Sequence, residues 1–383
     1  MKGFSKNTVN LKESIFATMT KLAKKNHAIN LSQGFPDFEG PTWIKDLAST
    51  ALYEKSNQYA PSPGLLELRD VVSYNYKLLY NLSYDSNHEI TITNGATEAI
   101  FSSLLALLNP GDEVIVFEPY YDSYVATIKL IGATPVAVTL NAPLFTFDRQ
   151  ELSKAFSEKT KVIIINNPHN PSGKIFSQDE LEYIYELANR YDAYIVSDEV
   201  YEFLTFDNFK HIPMASIKHA KSRTITISSI GKTFGLTGWK IGWTCAPVEV
   251  SHAIRMVHQF NSFSVNTPMQ FAVADALEKL TDYLPILKNE YQTKRDFFIP
   301  GLKKLGFHPI NPQGTYFVLC HIRKFSSLPD VGFCLELVET KKVAAIPTSA
   351  FYINSNAGSE YIRLCFAKKM TTLQSALERL AND

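Results

Sequence analysis

Four cysteines in 383 residues is a low count, and Cys245, Cys320, Cys334 and Cys365 form no CxxC pair and stand at no metal-ligand spacing from a histidine. This excludes a disulfide framework and a zinc ribbon, and the four read as reduced thiols. The nine histidines are scattered, so no metal is expected. No stretch reaches the roughly 18 uncharged apolar residues of a membrane span. The opening MKGFSKNTVNLKESIF has no apolar core of signal-peptide length, and a cytoplasmic location is expected. Charge of one sign is also missing: 38 Lys and Arg balance 38 Asp and Glu, which argues against nucleic acid as a partner. Repeats and low-complexity tracts are absent.

What is present is a run of β-rich apolar segments. They are EITIT (89–93), EVIVF (113–117), PVAVTL (135–140), KVIIIN (161–166), AYIVS (193–197), TITIS (224–228) and KIGWTCA (240–246). Most are continuous rather than alternating, as in strands buried on both faces. Between them, 97–108, 124–131 and 179–191 read as amphipathic helices. The alternation predicts an α/β fold: a mostly parallel seven-stranded sheet with helices on both faces. After residue 282 the pattern changes. Residues 283–305 read as a long helix interrupted at Pro300-Gly301, followed by short runs typical of a smaller α+β domain. The expected division is a large domain over 42–282, with 1–41 and 283–383 forming an N-terminal arm and the small domain.

Ligands of open α/β sheets bind at the carboxyl ends of the strands. After EITIT comes NGATEAI, a strand-to-helix turn whose free amides suit a phosphate near Ala96 and Thr97. EVIVF is followed by EPYYDSY, where Tyr121 is placed to stack on a planar ring. KVIIIN leads into NPHNPSG, a loop whose Asn170 has an amide to donate. AYIVS ends in Asp198, a carboxylate that is costly to bury unless paired, and Tyr201 offers a phenol nearby. TITIS leads to SSIGKTFGLTGWK. There Lys232 sits between two glycines, and Ser229 and Lys240 add a hydroxyl and a cation. Each feature alone is commonplace: a capped turn, a core aromatic, a buried salt bridge, a solvated lysine. Together they match one ligand. Pyridoxal 5′-phosphate (PLP) has a phosphate, a planar pyridine, a ring nitrogen, a phenolic oxygen and an aldehyde that condenses with lysine.

These motifs, with INLSQGFPDFEGP (29–41), NQYAP (57–61), FSVNTP and YIRLCFAKK, give the chain a resemblance to class I/II aminotransferases of fold type I over essentially its whole length. Within that family it is most similar to bacterial methionine aminotransferases and kynurenine aminotransferases. The resemblance implies that Lys232 is the Schiff-base lysine and later the proton shuttle, and that Asp198 pairs the pyridine nitrogen. It gives Asn170 and Tyr201 the phenolic oxygen and Tyr121 the ring face. Ala96, Thr97, Ser229 and Lys240 hold the phosphate, joined by Tyr59 from the neighbouring subunit of a homodimer. Arg363 grips the substrate α-carboxylate, helped by Asn170 and Gly34. Two departures stand out. Lys240 occupies a place where aspartate aminotransferases usually carry Arg. Thr97 stands where kynurenine aminotransferases often place an aromatic, which weakens a kynurenine assignment.

The segments that the resemblance puts around the substrate side chain supply Phe16, Phe35, Tyr59 and Tyr121, with Val265 and Asn266 from the neighbour. A dicarboxylate donor needs a second cation there. Methionine is therefore the expected leading donor, with aromatic and other apolar amino acids alongside it. Kynurenine or glutamine transamination, cysteine-conjugate β-lyase activity and a non-catalytic PLP-binding regulator are the alternatives. The SxxK spacing of Ser229 and Lys232 also fits a serine acyl-enzyme, but no SDN or KTG follows.

Overall fold

All seven apolar runs become strands of one sheet in the computed structural model, which describes residues 3, 5–9, 13–323 and 326–382. They are β1 (Ile90–Asn94), β2 (Glu113–Glu118), β3 (Thr134–Thr139), β4 (Thr160–Asn166), β5 (Tyr194–Asp198), β6 (Thr224–Ser229) and β7 (Ile241–Cys245). Their spatial order is β1-β7-β6-β5-β4-β2-β3. Strand β7 runs antiparallel to both of its neighbours, and the remaining pairs are parallel.

The continuous apolar runs have the meaning expected of them. Val114, Val116, Ile164 and Val196 face one layer, with Ile100 and Leu104 of the helix Gly95–Leu107. Their chain neighbours Ile115, Phe117, Ile163 and Ile195 face the other, with Leu181, Ile184 and Leu187 of the helix Gln178–Arg190. Period-2 alternation with both faces covered makes both sets of positions largely apolar. The second of these helices starts at a full capping box, Ser177 with Glu180.

The long helix runs unbroken from Leu280 to Lys304, so Pro300-Gly301 does not interrupt it. Pro300 removes one hydrogen bond within the last two turns, and the buried Phe298, Ile299 and Leu302 hold the helix to the core regardless. Gly301 has a packing reason: a Cβ there would lie 2.4 Å from Leu377 of the C-terminal helix Met370–Ala381.

Beyond it, β8 (Phe317–His321) and β9 (Tyr361–Cys365) pair antiparallel, with Leu319 opposite Arg363. Ile29–Asn30 pairs in parallel with Val343–Ala344. Met19, Ala23 and Leu31 share the core of this C-terminal unit. Among the described residues, no helix is long and apolar enough to cross a membrane.

Candidate active site

One cavity of about 360 Å³ opens at the carboxyl edge of the sheet. Because β7 is antiparallel, its first residue, Ile241, pairs with Asn94 at the end of β1. Lys240 therefore arrives at the same edge as the ends of the parallel strands. The cavity is lined by Ala96, Thr97, Tyr121, Asn170, Asp198, Tyr201, Ser229, Lys232, Lys240, Gly34, Arg363, Phe16 and Phe35. Tyr59, Val265 and Asn266 are not brought to it within one chain. Tyr59 is 83 % exposed and edge-on to Phe263, while Asn266 caps the helix Thr267–Glu278.

Lys232 lies in the short helical turn after β6. Its Nζ donates to the Gly34 carbonyl at 3.2 Å and lies 5.6 Å from the ring centroids of both Tyr201 and Tyr316. Burial lowers its pKa to about 8, so a neutral, nucleophilic amine is accessible near physiological pH.

Asp198 ends β5 and is buried. Its Oδ2 accepts from the Tyr124 hydroxyl at 2.5 Å and its Oδ1 from the Val200 amide at 3.3 Å. Burial pushes its pKa up to about 6, against the Tyr124 bond, which lowers it. The carboxylate makes no ion pair among the described residues. Asn166 braces this corner, donating to the Asp198 carbonyl at 2.9 Å and accepting from the Asn170 amide at 2.6 Å.

Arg363, in β9, is 1 % exposed and has no carboxylate partner among the described residues. This disposes of the surface salt bridge that a strand arginine suggests. Nη1 donates to Asn170 Oδ1 and Nη2 to the Ser32 carbonyl, both at 2.9 Å, while Nε is unpartnered. The Phe317, Phe16 and Phe351 rings lie 4.0, 5.0 and 5.5 Å from the guanidinium. Asn170 thus accepts from Arg363 through its oxygen while lining the cavity.

At the opposite end, the helix Gly95–Leu107 begins at the cavity wall. Lys240 Nζ stands 3.4 Å from the Thr97 hydroxyl, and Ser229 is close by on the lining. Gly242 permits this arrangement, because a Cβ there would lie 2.7 Å from the Gly95 carbonyl carbon and 2.8 Å from the Ala96 nitrogen.

The comparisons with known proteins agree with this chemistry. The profile of Aminotransferase class I and II matches residues 26–380. The chain belongs to this family. It is 40 % identical to the methionine aminotransferase of Escherichia coli over 96 % of this chain and 95 % of that protein. A solved structure of a methionine aminotransferase from the same organism superposes with a TM-score of 0.96 at 39 % identity, covering both chains completely. Human kynurenine–oxoglutarate transaminase 3 is 38 % identical, over 98 % of this chain and 89 % of its own length.

An aminotransferase of this class depends on PLP, and the residues present fit that group. A buried carboxylate without a cation suits a protonated ring nitrogen. A helix N-terminus with a lysine and two hydroxyls suits a phosphate. A buried amine of lowered pKa suits an aldehyde. The geometry also adds Tyr124, Asn166 and Tyr316, which the motifs did not reveal. Tyr316 donates its hydroxyl to the Gly34 carbonyl at 2.5 Å.

Proposed function

We propose that this aminotransferase takes methionine, and other amino acids with long apolar or aromatic side chains, as amino donors. It passes the α-amino group to a 2-oxo acid by a ping-pong mechanism. The observation that carries this reading is the isolation of Arg363. Among the described residues it is the one arginine on the cavity lining, and it is surrounded by phenylalanines. A bidentate guanidinium suits the α-carboxylate, which leaves no arginine for a side-chain acid. The nearby buried Lys368 is not on the cavity lining, and its Nζ donates to the Phe35 carbonyl at 2.7 Å. A charged side chain beside Phe16 and Phe35 would be desolvated and unpaired, whereas a thioether or ring would fill apolar space. The relative named for methionine supports the same choice.

In this reading PLP, when bound, supplies the aldehyde that accepts the amino group and the protonated ring that withdraws electrons from the substrate Cα. Lys232 would hold the cofactor, and its Nζ would serve as the base that takes the proton from the substrate Cα. Asp198 would keep the ring nitrogen protonated, Tyr121 would cover the ring face, and Tyr201 and Asn170 would donate to the phenolic oxygen. Ala96, Thr97, Ser229 and Lys240 anchor the phosphate, with Tyr59 of a partner subunit. Arg363, Asn170 and Gly34 orient the α-carboxylate. All four cysteines are buried and unpaired, which supports a cytoplasmic location.

The test is kcat/KM for methionine against aspartate with one common 2-oxo acid. Methionine is expected to lead by at least about tenfold, the discrimination a missing charge partner provides. A tenfold lead for aspartate would overturn the apolar assignment.

A further inference from the structure

Glu118 closes β2 at the cavity edge of the sheet and is fully buried, at 0 % exposure. The reaction described above gives it no role. Its partners are backbone amides of a distant segment. Oε2 accepts from Ile353 N at 2.8 Å and Asn354 N at 3.1 Å, and Oε1 accepts from Ser355 N at 3.1 Å. The Thr139 hydroxyl completes the shell at 3.0 Å from Oε1. Three successive amides converging on one carboxylate form an anion nest, here filled by a side chain of the same protein. Two residues along, the Tyr120 amide donates to the Phe351 carbonyl at 2.9 Å. The end of β2 thus grips the segment 351–355, which belongs to the C-terminal unit.

That segment matters because of Phe351. Its ring is 1 % exposed, lies 5.8 Å from the Phe16 ring and backs the Arg363 guanidinium at 5.5 Å. The base of the segment has its own anchors, Thr348 to the Gly358 and Tyr361 carbonyls and Ser349 N to Asp330. Its far side rests on Glu118.

We propose that Glu118 is a positioning residue that sets donor selectivity. Its carboxylate pins the segment 351–355 across the two units, and through Phe351 it holds Phe16 where a long apolar side chain is received. The inference rests on Arg363 being the α-carboxylate site. It does not require methionine to be the preferred donor, because each variant is compared with wild type donor by donor.

The experiment is Glu118→Gln in the PLP-loaded enzyme. The amide puts an NH₂ against amide donors and removes the charge without changing the shape. KM for methionine is expected to rise about tenfold with kcat within about twofold, while KM for alanine, which has no long side chain to receive, changes less than about threefold. Bound PLP should be unchanged, and the amides of 353–355 should exchange hydrogen faster. Ser355→Pro, which deletes one donor from the opposite side and leaves β2 intact, should shift the same ratio more weakly. It decides the matter if Glu118→Gln does not fold. Unchanged KM values despite faster exchange would reduce Glu118 to a structural brace and overturn the proposal. An equal rise for alanine and methionine would overturn the selectivity claim. If wild type prefers aspartate over methionine, the donor assignment fails while the Glu118 ratios remain readable.

Discussion

Asp198 and Arg363 are opposite charges, each buried without a salt-bridge partner among the described residues. Burying either alone is costly, so the two suit a ligand that brings one cationic and one anionic group. Burial raises the Asp198 pKa to about 6, with the Tyr124 hydroxyl working against the rise. Pairing a protonated ring nitrogen requires the carboxylate. A donor that favours the charged form holds the pKa down, so removing it lets the pKa climb. In Tyr124→Phe the acid limb of PLP binding by the apoprotein should therefore move to higher pH, by about one pH unit for a lost hydrogen bond to a charged group. Binding above pH 8 should change little. Fluorescence titration of the apoprotein with PLP between pH 5 and 9 checks this, and an unmoved limb would show that Tyr124 does not tune Asp198. The charged members of the site were legible in the chain, because Asp198, Lys232 and Lys240 follow or precede apolar runs where a charge is out of place. Tyr124 was not. An aromatic on a helix reads as core until the sheet sets Asp198, 74 residues away, beside its hydroxyl.

Strands with both faces buried announce themselves as unbroken apolar runs, and for that reason β1 to β7 could be read with boundary errors of a residue or two. Two features needed the fold. The direction of β7 is set by its pairing with β1 and β6, and no local pattern carries it. The continuity of Leu280–Lys304 through Pro300 depends on Phe298, Ile299 and Leu302 being buried against other elements, a tertiary override of a local breaker. Gly242 belongs to the same scale. It lies in β7, an element with no turn to make, yet it is small because the first turn of the helix Gly95–Leu107 rests on it. A Cβ at 2.7–2.8 Å from Gly95 and Ala96 must push that turn away. Since the amides of that turn are the proposed phosphate donors, Gly242→Ala should weaken PLP binding by about tenfold or more, about 1.4 kcal/mol. Dialysis against buffer followed by measurement of retained PLP tests this. Full retention at micromolar protein would mean the turn tolerates the displacement.

At the scale of the molecule, the surface of one chain carries large aromatic groups that a monomer has no use for. Tyr53, Tyr59 and Phe260 are 88, 83 and 85 % exposed, and Phe263, edge-on to Tyr59, is about half exposed. The exposed pair of Tyr59 and Phe263 is the feature that an interface would cover. A second copy of this chain is the proposed partner, in a two-fold homodimer whose cavities are completed across the interface. Tyr59 distinguishes a composite site from mere association. Its hydroxyl is outside the cavity of its own chain, so in a monomer Tyr59→Phe should be silent. In the proposed dimer it removes a donor to the partner's cofactor phosphate. The variant is then expected to keep the dimer mass in sedimentation equilibrium and to lose about tenfold in PLP affinity, the value of one hydrogen bond to a charged group. Dilution of wild type should give activity that falls as the monomer appears. A monomeric species with full specific activity at nanomolar concentration, or a Tyr59→Phe enzyme with unchanged PLP affinity, would show that each chain builds its site alone.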